Sequence, residues 1–143
     1  QKAKRVFVAG KGRSGFIARC FALRLRHLGI ESYVVEETIC PPIKKGDLLV
    51  AISSSGSKKT ILALAEIAKR RGAKALAITS EKDSPLKELS DHTILINTEK
   101  SIQFGSSLFE QVSLIFLDIF VERFRRYKGI SHRDMAKRHT NLE

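Results

Sequence analysis

No stretch of this sequence approaches the ~20 uncharged apolar residues that a membrane span needs, and no low-complexity tract, repeat or linker divides it. The first residues, Gln1-Lys2-Ala3-Lys4-Arg5, run straight towards a strand rather than into a signal-peptide core. A soluble, cytoplasmic protein without membrane contact is the expectation. Cysteine is nearly missing: Cys20 and Cys40 are the two present, with no CxxC pair and no His/Cys cluster at metal-ligand spacing. That composition excludes a disulfide scaffold and gives no reason to expect a metal, and both thiols read as reduced packing residues. Asn and Gln are scarce beside abundant Lys, Arg and Glu, a balance that leans towards a heat-adapted source.

RNA-binding and helix-turn-helix signatures are also lacking, which matters because the formal charge of +11 invites a nucleic-acid reading. Lys and Arg recur on every expected helix and thicken mainly near Arg123–Lys128 and Lys137–His139. An anionic small substrate explains them with fewer assumptions than a nucleic acid does. A length of 143 residues with 43% hydrophobic content suits one domain and one core.

What the sequence does have is an alternation of apolar runs and helical periods, the βαβα signature of a parallel sheet covered on both faces. Strands are expected at Arg5–Ala9, Ser32–Glu36, Asp47–Ser53, Ala75–Thr79 and Thr93–Ile96. Ile17, Phe21, Leu25 and Leu28 form the stripe of a first helix closed by Gly29, and Ile61, Leu64, Ala65 and Ala68 that of a second ending before Gly72. Ser84-Pro85 opens a short helix, and Ser131 to Asp134 has the form of a capping box. The longest helix, 106–127, is apolar nearly all round from Val112 to Val121, with Leu108, Val112, Ile115 and Ile119 as its expected stripe. Such a helix needs two partners, the sheet and another subunit, so oligomerisation is expected. The chain opens directly on a strand, which leaves room for an N-terminal helix cut away ahead of it.

Two loops carry chemistry. Gly10-Lys11-Gly12-Arg13-Ser14-Gly15 joins a strand to a helix and fits the dinucleotide fingerprint, with Glu36 and Glu37 placed as a ribose-binding carboxylate would be. The competing loop is Ser53-Ser54-Ser55-Gly56-Ser57-Lys58, whose hydroxyls and unpaired N–H groups at a helix start suit a phosphate dianion. A serine cluster can also be a solvated turn, but two donor-rich loops at strand ends favour one compact phosphorylated ligand.

These segments, with Glu37-Thr38-Ile39, Pro41-Pro42, Asp47 to Ser53, Ala77 to Ser80, Leu108-Phe109-Glu110 and the terminal Lys137-Arg138-His139-Thr140-Asn141-Leu142-Glu143, resemble the sugar isomerase (SIS) domain family, and within it the 6-phospho-3-hexuloisomerase branch. The resemblance implies a three-layer αβα sandwich with a five-stranded parallel sheet in flavodoxin-like strand order, spanning residues 1–143 as one domain whose 130–143 tail contributes to the site. It also implies a homotetramer with sites at subunit contacts, no cofactor, and a phosphorylated ketohexose substrate, 3-hexulose 6-phosphate exchanging with fructose 6-phosphate. The family's phosphate loop usually reads Ser-x-Ser-Gly-Glu-Thr, so this chain departs from it at Ser57 and Lys58.

Such a reaction removes one carbon-bound proton and returns it to the neighbouring carbon, which one rigidly held base can do. Glu110 is the first candidate base and His139 the second, as an acid for ring opening or a proton relay reached from the tail, across a subunit contact if need be. Arg13 and Ser14 are candidates for holding the phosphate or the enediolate oxygen, with Arg13 alternatively paired to Glu36 or Glu37. Glu37 is a candidate for orienting substrate hydroxyls, and Ser53, Ser54, Ser55, Ser57 and Lys58 for gripping the phosphate. His27 and His92 are set aside, His27 as a cation suited to a helix C-terminus. Two rivals stand beside the isomerase: an NAD enzyme, and a sugar-phosphate sensor, which would normally carry a DNA-binding domain ahead of the SIS domain.

Overall fold

In the computed structural model, which describes residues 3–98 and 101–142, ten elements follow in the order β1 (Val6–Gly10), α1 (Arg13–His27), β2 (Ser32–Val34), β3 (Leu48–Ile52), α2 (Lys59–Arg70), β4 (Lys74–Thr79), α3 (Pro85–Leu89), β5 (His92–Leu95), α4 (Ser107–Tyr127) and α5 (His132–Ala136). The five strands pair in parallel in the order β2-β1-β3-β4-β5, the flavodoxin-like arrangement. Central strands are apolar without alternation because both faces are covered. Val6, Val8, Val50, Ile52 and Ile78 pack under α1 and α4, while Phe7, Ala9, Leu49, Ala51 and Ala77 pack under α2 and α3.

Strand ends differ from expectation where side chains take up other work. β2 stops at Val34 because the Glu37 amide turns back onto the Val34 carbonyl. β3 starts at Leu48 because the Asp47 carboxylate is taken by Arg5, at 3.1 and 2.6 Å, and by the Lys44 amide at 2.9 Å. The Ser131–Asp134 capping box forms and starts α5. Cys40 is half-buried, but Cys20 lies exposed on α1 and is not a packing residue.

The long helix turns a different face to the sheet than its expected stripe. Phe109, Ser113, Leu117 and Val121 are buried, whereas Ile115 and Ile119 are 59% and 55% exposed. The face turned inward packs into the same core cluster as the α1 residues Ala18, Phe21, Ala22 and Leu25, with Phe109, Leu117 and Val121 contributed by α4. The buried face includes one polar defect, since the Ser113 hydroxyl is fully buried without a hydrogen-bond partner among the described residues. Ser113→Ala removes an unsatisfied hydroxyl and raises helix propensity, so it is expected to stabilise the fold by about 1–2 kcal/mol, read as a higher urea midpoint at unchanged m-value.

Candidate active site

β1 and β3 are neighbours in register, with Gly10 opposite Ile52, so the loops that leave them start side by side. The chain passes from β1 to β2 on one side and to β3 on the other, which makes this the crevice where open α/β sheets hold ligands. Backbone crowding sets the first loop. A Cβ on Gly10 would stand 2.6 Å from the Ser14 carbonyl oxygen, and one on Gly15 would stand 2.9 Å from that of Gly10. Strand end and helix start touch through their backbones, and only glycine permits it.

The serine loop is held from beneath by β4. The Ser54 carbonyl accepts from Thr79 Oγ1 at 2.8 Å, Ser80 Oγ at 2.9 Å and the Ser80 amide at 3.0 Å. Gly56 takes a left-handed φ of 57° at the turn, its amide donating to the Ser53 carbonyl at 3.1 Å. Lys58 then stands at the N-cap of α2 with no side-chain cap, and the helix starts directly beside the serine loop.

These elements enclose a cavity of about 320 Å³ lined by Lys11, Ser14, Ser53, Ser54, Ser55, Lys58, Ser106 and Glu110, with Ile52 and Ile61 as its apolar part. A hydroxyl-rich depression of about 240 Å³ adjoins it through Ser54 and Ser106 and adds Ser80, Glu81, Thr98 and Ser101. One carboxylate, two ammonium groups and a hydroxyl cluster share one compact space, a composition suited to a small polyol carrying a phosphate.

Of the expected site residues, the fold brings Ser14, Ser53, Ser54, Ser55, Lys58 and Glu110 onto that wall. Ser57 is exposed and outside it, its hydroxyl 2.9 Å from Ser55 Oγ as a support. Arg13 pairs with Glu110 from outside the cavity, and not with Glu36 or Glu37. Glu37 is likewise off the wall, held by Arg19 at 3.1 Å, and Glu36 is paired with Lys11. His139 is remote from Glu110 of its own chain: its Nδ1 lies 3.0 Å from Nε2 of His27 at the far end of α1, a helix about 21 Å long. The tail is latched there by Arg138, which donates to the His27 carbonyl at 3.0 Å. Glu143 of the terminal motif lies outside the described residues. Lys11 and Ser106 are the wall residues that the sequence reading passed over.

A family model for the SIS domain matches residues 1–123. The chain belongs to the SIS domain family. A 3-hexulose-6-phosphate isomerase of Methanocaldococcus jannaschii is 41% identical over 143 residues, covering 99% of this chain and 78% of that protein. One from Mycobacterium gastri is 37% identical over 147 residues, covering 97% and 74%. A solved Methanococcus jannaschii structure, described as implying 3-hexulose-6-phosphate isomerase function, superposes with a TM-score of 0.94 at 40% identity, covering 99% and 80%. Membership of the SIS family weighs against the dinucleotide reading, and both carboxylates near the glycine-rich loop, Glu36 and Glu37, are already paired with basic side chains.

Proposed function

We propose that the protein is a 6-phospho-3-hexuloisomerase, interconverting 3-hexulose 6-phosphate and fructose 6-phosphate through a 2,3-enediol. The observation that carries this is the convergence of the buried Glu110 with the Ser53–Ser55 loop and Lys58 around one cavity. The phosphate dianion sits on the serine hydroxyls and the α2 amides, with Lys58 adding full charge where the family usually has a threonine. Anchoring that end fixes C2 and C3 beside Glu110. In the direction of fructose 6-phosphate, Glu110 takes the hydrogen of C2, the pair of electrons forms the enediolate, and the same carboxyl returns a proton to C3 while the C2 hydroxyl becomes the carbonyl. Lys11, on the same wall and paired with Glu36, turns its ammonium to the enediolate oxygen once substrate is bound.

The protein works as a homotetramer in this reading. Ile115 and Ile119 form an exposed apolar strip on α4, flanked by Asp118, paired with Arg24 at 3.6 Å, and by Glu122. His139, too far to reach Glu110 in its own chain, serves a neighbouring copy as the acid for ring opening, so the 130–143 tail completes a site across a contact. Both cysteines are free thiols, in keeping with the reducing cytoplasm.

Purified protein in deuterated water with fructose 6-phosphate tests the reaction. The C3 hydrogen should exchange and a 3-hexulose should accumulate by NMR. Tight binding without exchange would mean a sensor, and a melting-temperature response to NAD would revive the dehydrogenase. Ser55→Ala removes one hydroxyl from a charged ligand and is expected to raise KM about 10- to 100-fold with kcat within a few-fold, measured by steady-state kinetics.

A further inference from the structure

Glu110 is gripped by a residue that does not touch the cavity. Arg13 opens α1, and its Nε donates to Oε2 of Glu110 across 97 positions of sequence. The pair is lopsided: the Arg13 side chain is 63% exposed and that of Glu110 is 9% exposed. The guanidinium therefore holds one carboxylate oxygen from the solvent side, and the other is left for whatever occupies the cavity. Lys58 stands on the same wall as Glu110 and offers a competing ammonium partner, as would Lys11 whenever it releases Glu36. A glutamate side chain has several free torsions, and a carboxylate drawn onto either lysine would leave the reactive position and neutralise a charge meant for the phosphate or the enediolate oxygen.

We propose that Arg13 is a positioning residue, whose grip on Oε2 keeps Glu110 aimed at the substrate carbons and away from Lys11 and Lys58. The proposal rests on Glu110 being the base. It gives α1 a place in the chemistry, because the helix that packs against α4 carries at its first residue the group that aligns α4's carboxylate.

The test compares Arg13→Met, Arg13→Lys, Glu110→Gln and the Arg13→Met/Glu110→Gln double variant. Readouts are kcat and KM for the isomerisation and fructose 6-phosphate affinity by calorimetry. Arg13→Met should lower kcat about 10- to 100-fold with affinity within about threefold of wild type. Arg13→Lys should regain most of that loss, as should adding guanidinium chloride at tens of millimolar to Arg13→Met. In the Glu110→Gln background the Arg13→Met change should be silent in exchange rate, since nothing is left to align. Loss of affinity instead of kcat would make Arg13 a phosphate ligand and overturn the proposal, and so would an equal loss in the Glu110→Gln background. If Glu110→Gln abolishes turnover but Arg13→Met leaves kcat intact, the positioning role alone falls. Near-normal turnover by Glu110→Gln would remove the base assignment and the proposal with it.

Discussion

Glu110→Gln is expected to lower kcat by about 10³-fold while fructose 6-phosphate still binds with nearly unchanged affinity. Glutamine has the same shape, and its amide oxygen can still accept from Arg13, so the substitution removes proton-accepting capacity without moving α4. Arg13 loses its anionic partner at little cost, because its side chain is 63% exposed and water can solvate it. Stability should stay within about 1 kcal/mol of wild type on that basis. Single-turnover kinetics together with calorimetry separate the two effects, and a parallel loss of affinity and rate would instead mean that the carboxylate binds ground-state substrate.

Gly56→Ala is expected to have the largest structural effect at the site. Gly56 has a φ of 57°, and a Cβ there would stand 2.4 Å from Ser84 Oγ, 2.6 Å from Ser84 Cβ and 3.2 Å from Thr79 Oγ1. Ser84 is itself 4% exposed and caps α3 by accepting from the Lys87 amide, so it cannot yield without releasing that helix. The Gly56 carbonyl also receives the Leu86 amide at 3.0 Å, which ties the same turn to α3 a second time. Left-handed backbone costs alanine about 1–2 kcal/mol and crowding adds about 1–3 more, so an unfolding free energy lower by roughly 2–5 kcal/mol is expected with weaker phosphate binding. Gly129→Ala is the control: its φ is 65° but a Cβ would meet nothing within 4 Å, so urea unfolding should show the conformational cost alone, about 1 kcal/mol. Equal losses in the two variants would mean that Ser84 moves aside freely.

What could be read without coordinates was mostly local. Apolar runs located all five strands to within two residues at either end, because a strand buried on both faces has no other composition available. Which strand lies beside which was not in those runs; the sheet order came through the resemblance. Ser53 to Ser55 and Glu110 stand out in the sequence because each sits near the end of a strand or helix, and the fold brings them onto one wall; the further expectation that Glu110 lies away from the packed face of α4 is not met, since it is 7% exposed. Lys11 is hidden inside a motif read for its glycines; it lines the crevice while its ammonium pairs with Glu36. Arg13 reads from the sequence either as a phosphate or enediolate ligand or as a partner of Glu36 or Glu37, whereas the carboxylate it pairs with is 97 residues away. The His27–His139 contact spans 112 residues and is equally beyond local pattern. On α4 the reason differs: from Val112 to Val121 apolar side chains lie on most sides, spacing alone does not say which of them meets the sheet, and the expected Leu108, Val112, Ile115 and Ile119 stripe leaves Ile115 and Ile119 exposed.

The abutment of Gly10 against Ser14 and Gly15 has a consequence for how such chains are catalogued. Two of the three glycines spaced as in nucleotide-binding enzymes, Gly10 and Gly15, arise here from an architectural demand, the tight joint between a buried strand and the helix that folds back over it, and Gly12 from a left-handed turn, so the demand precedes any choice of ligand. Unrelated lineages meeting it will converge on the same spelling, so a pattern scan that treats the spelling as a cofactor label will misfile them. Drift is blocked as well: neither glycine can be exchanged alone without prising the joint apart, so both should outlast changes in what the crevice holds.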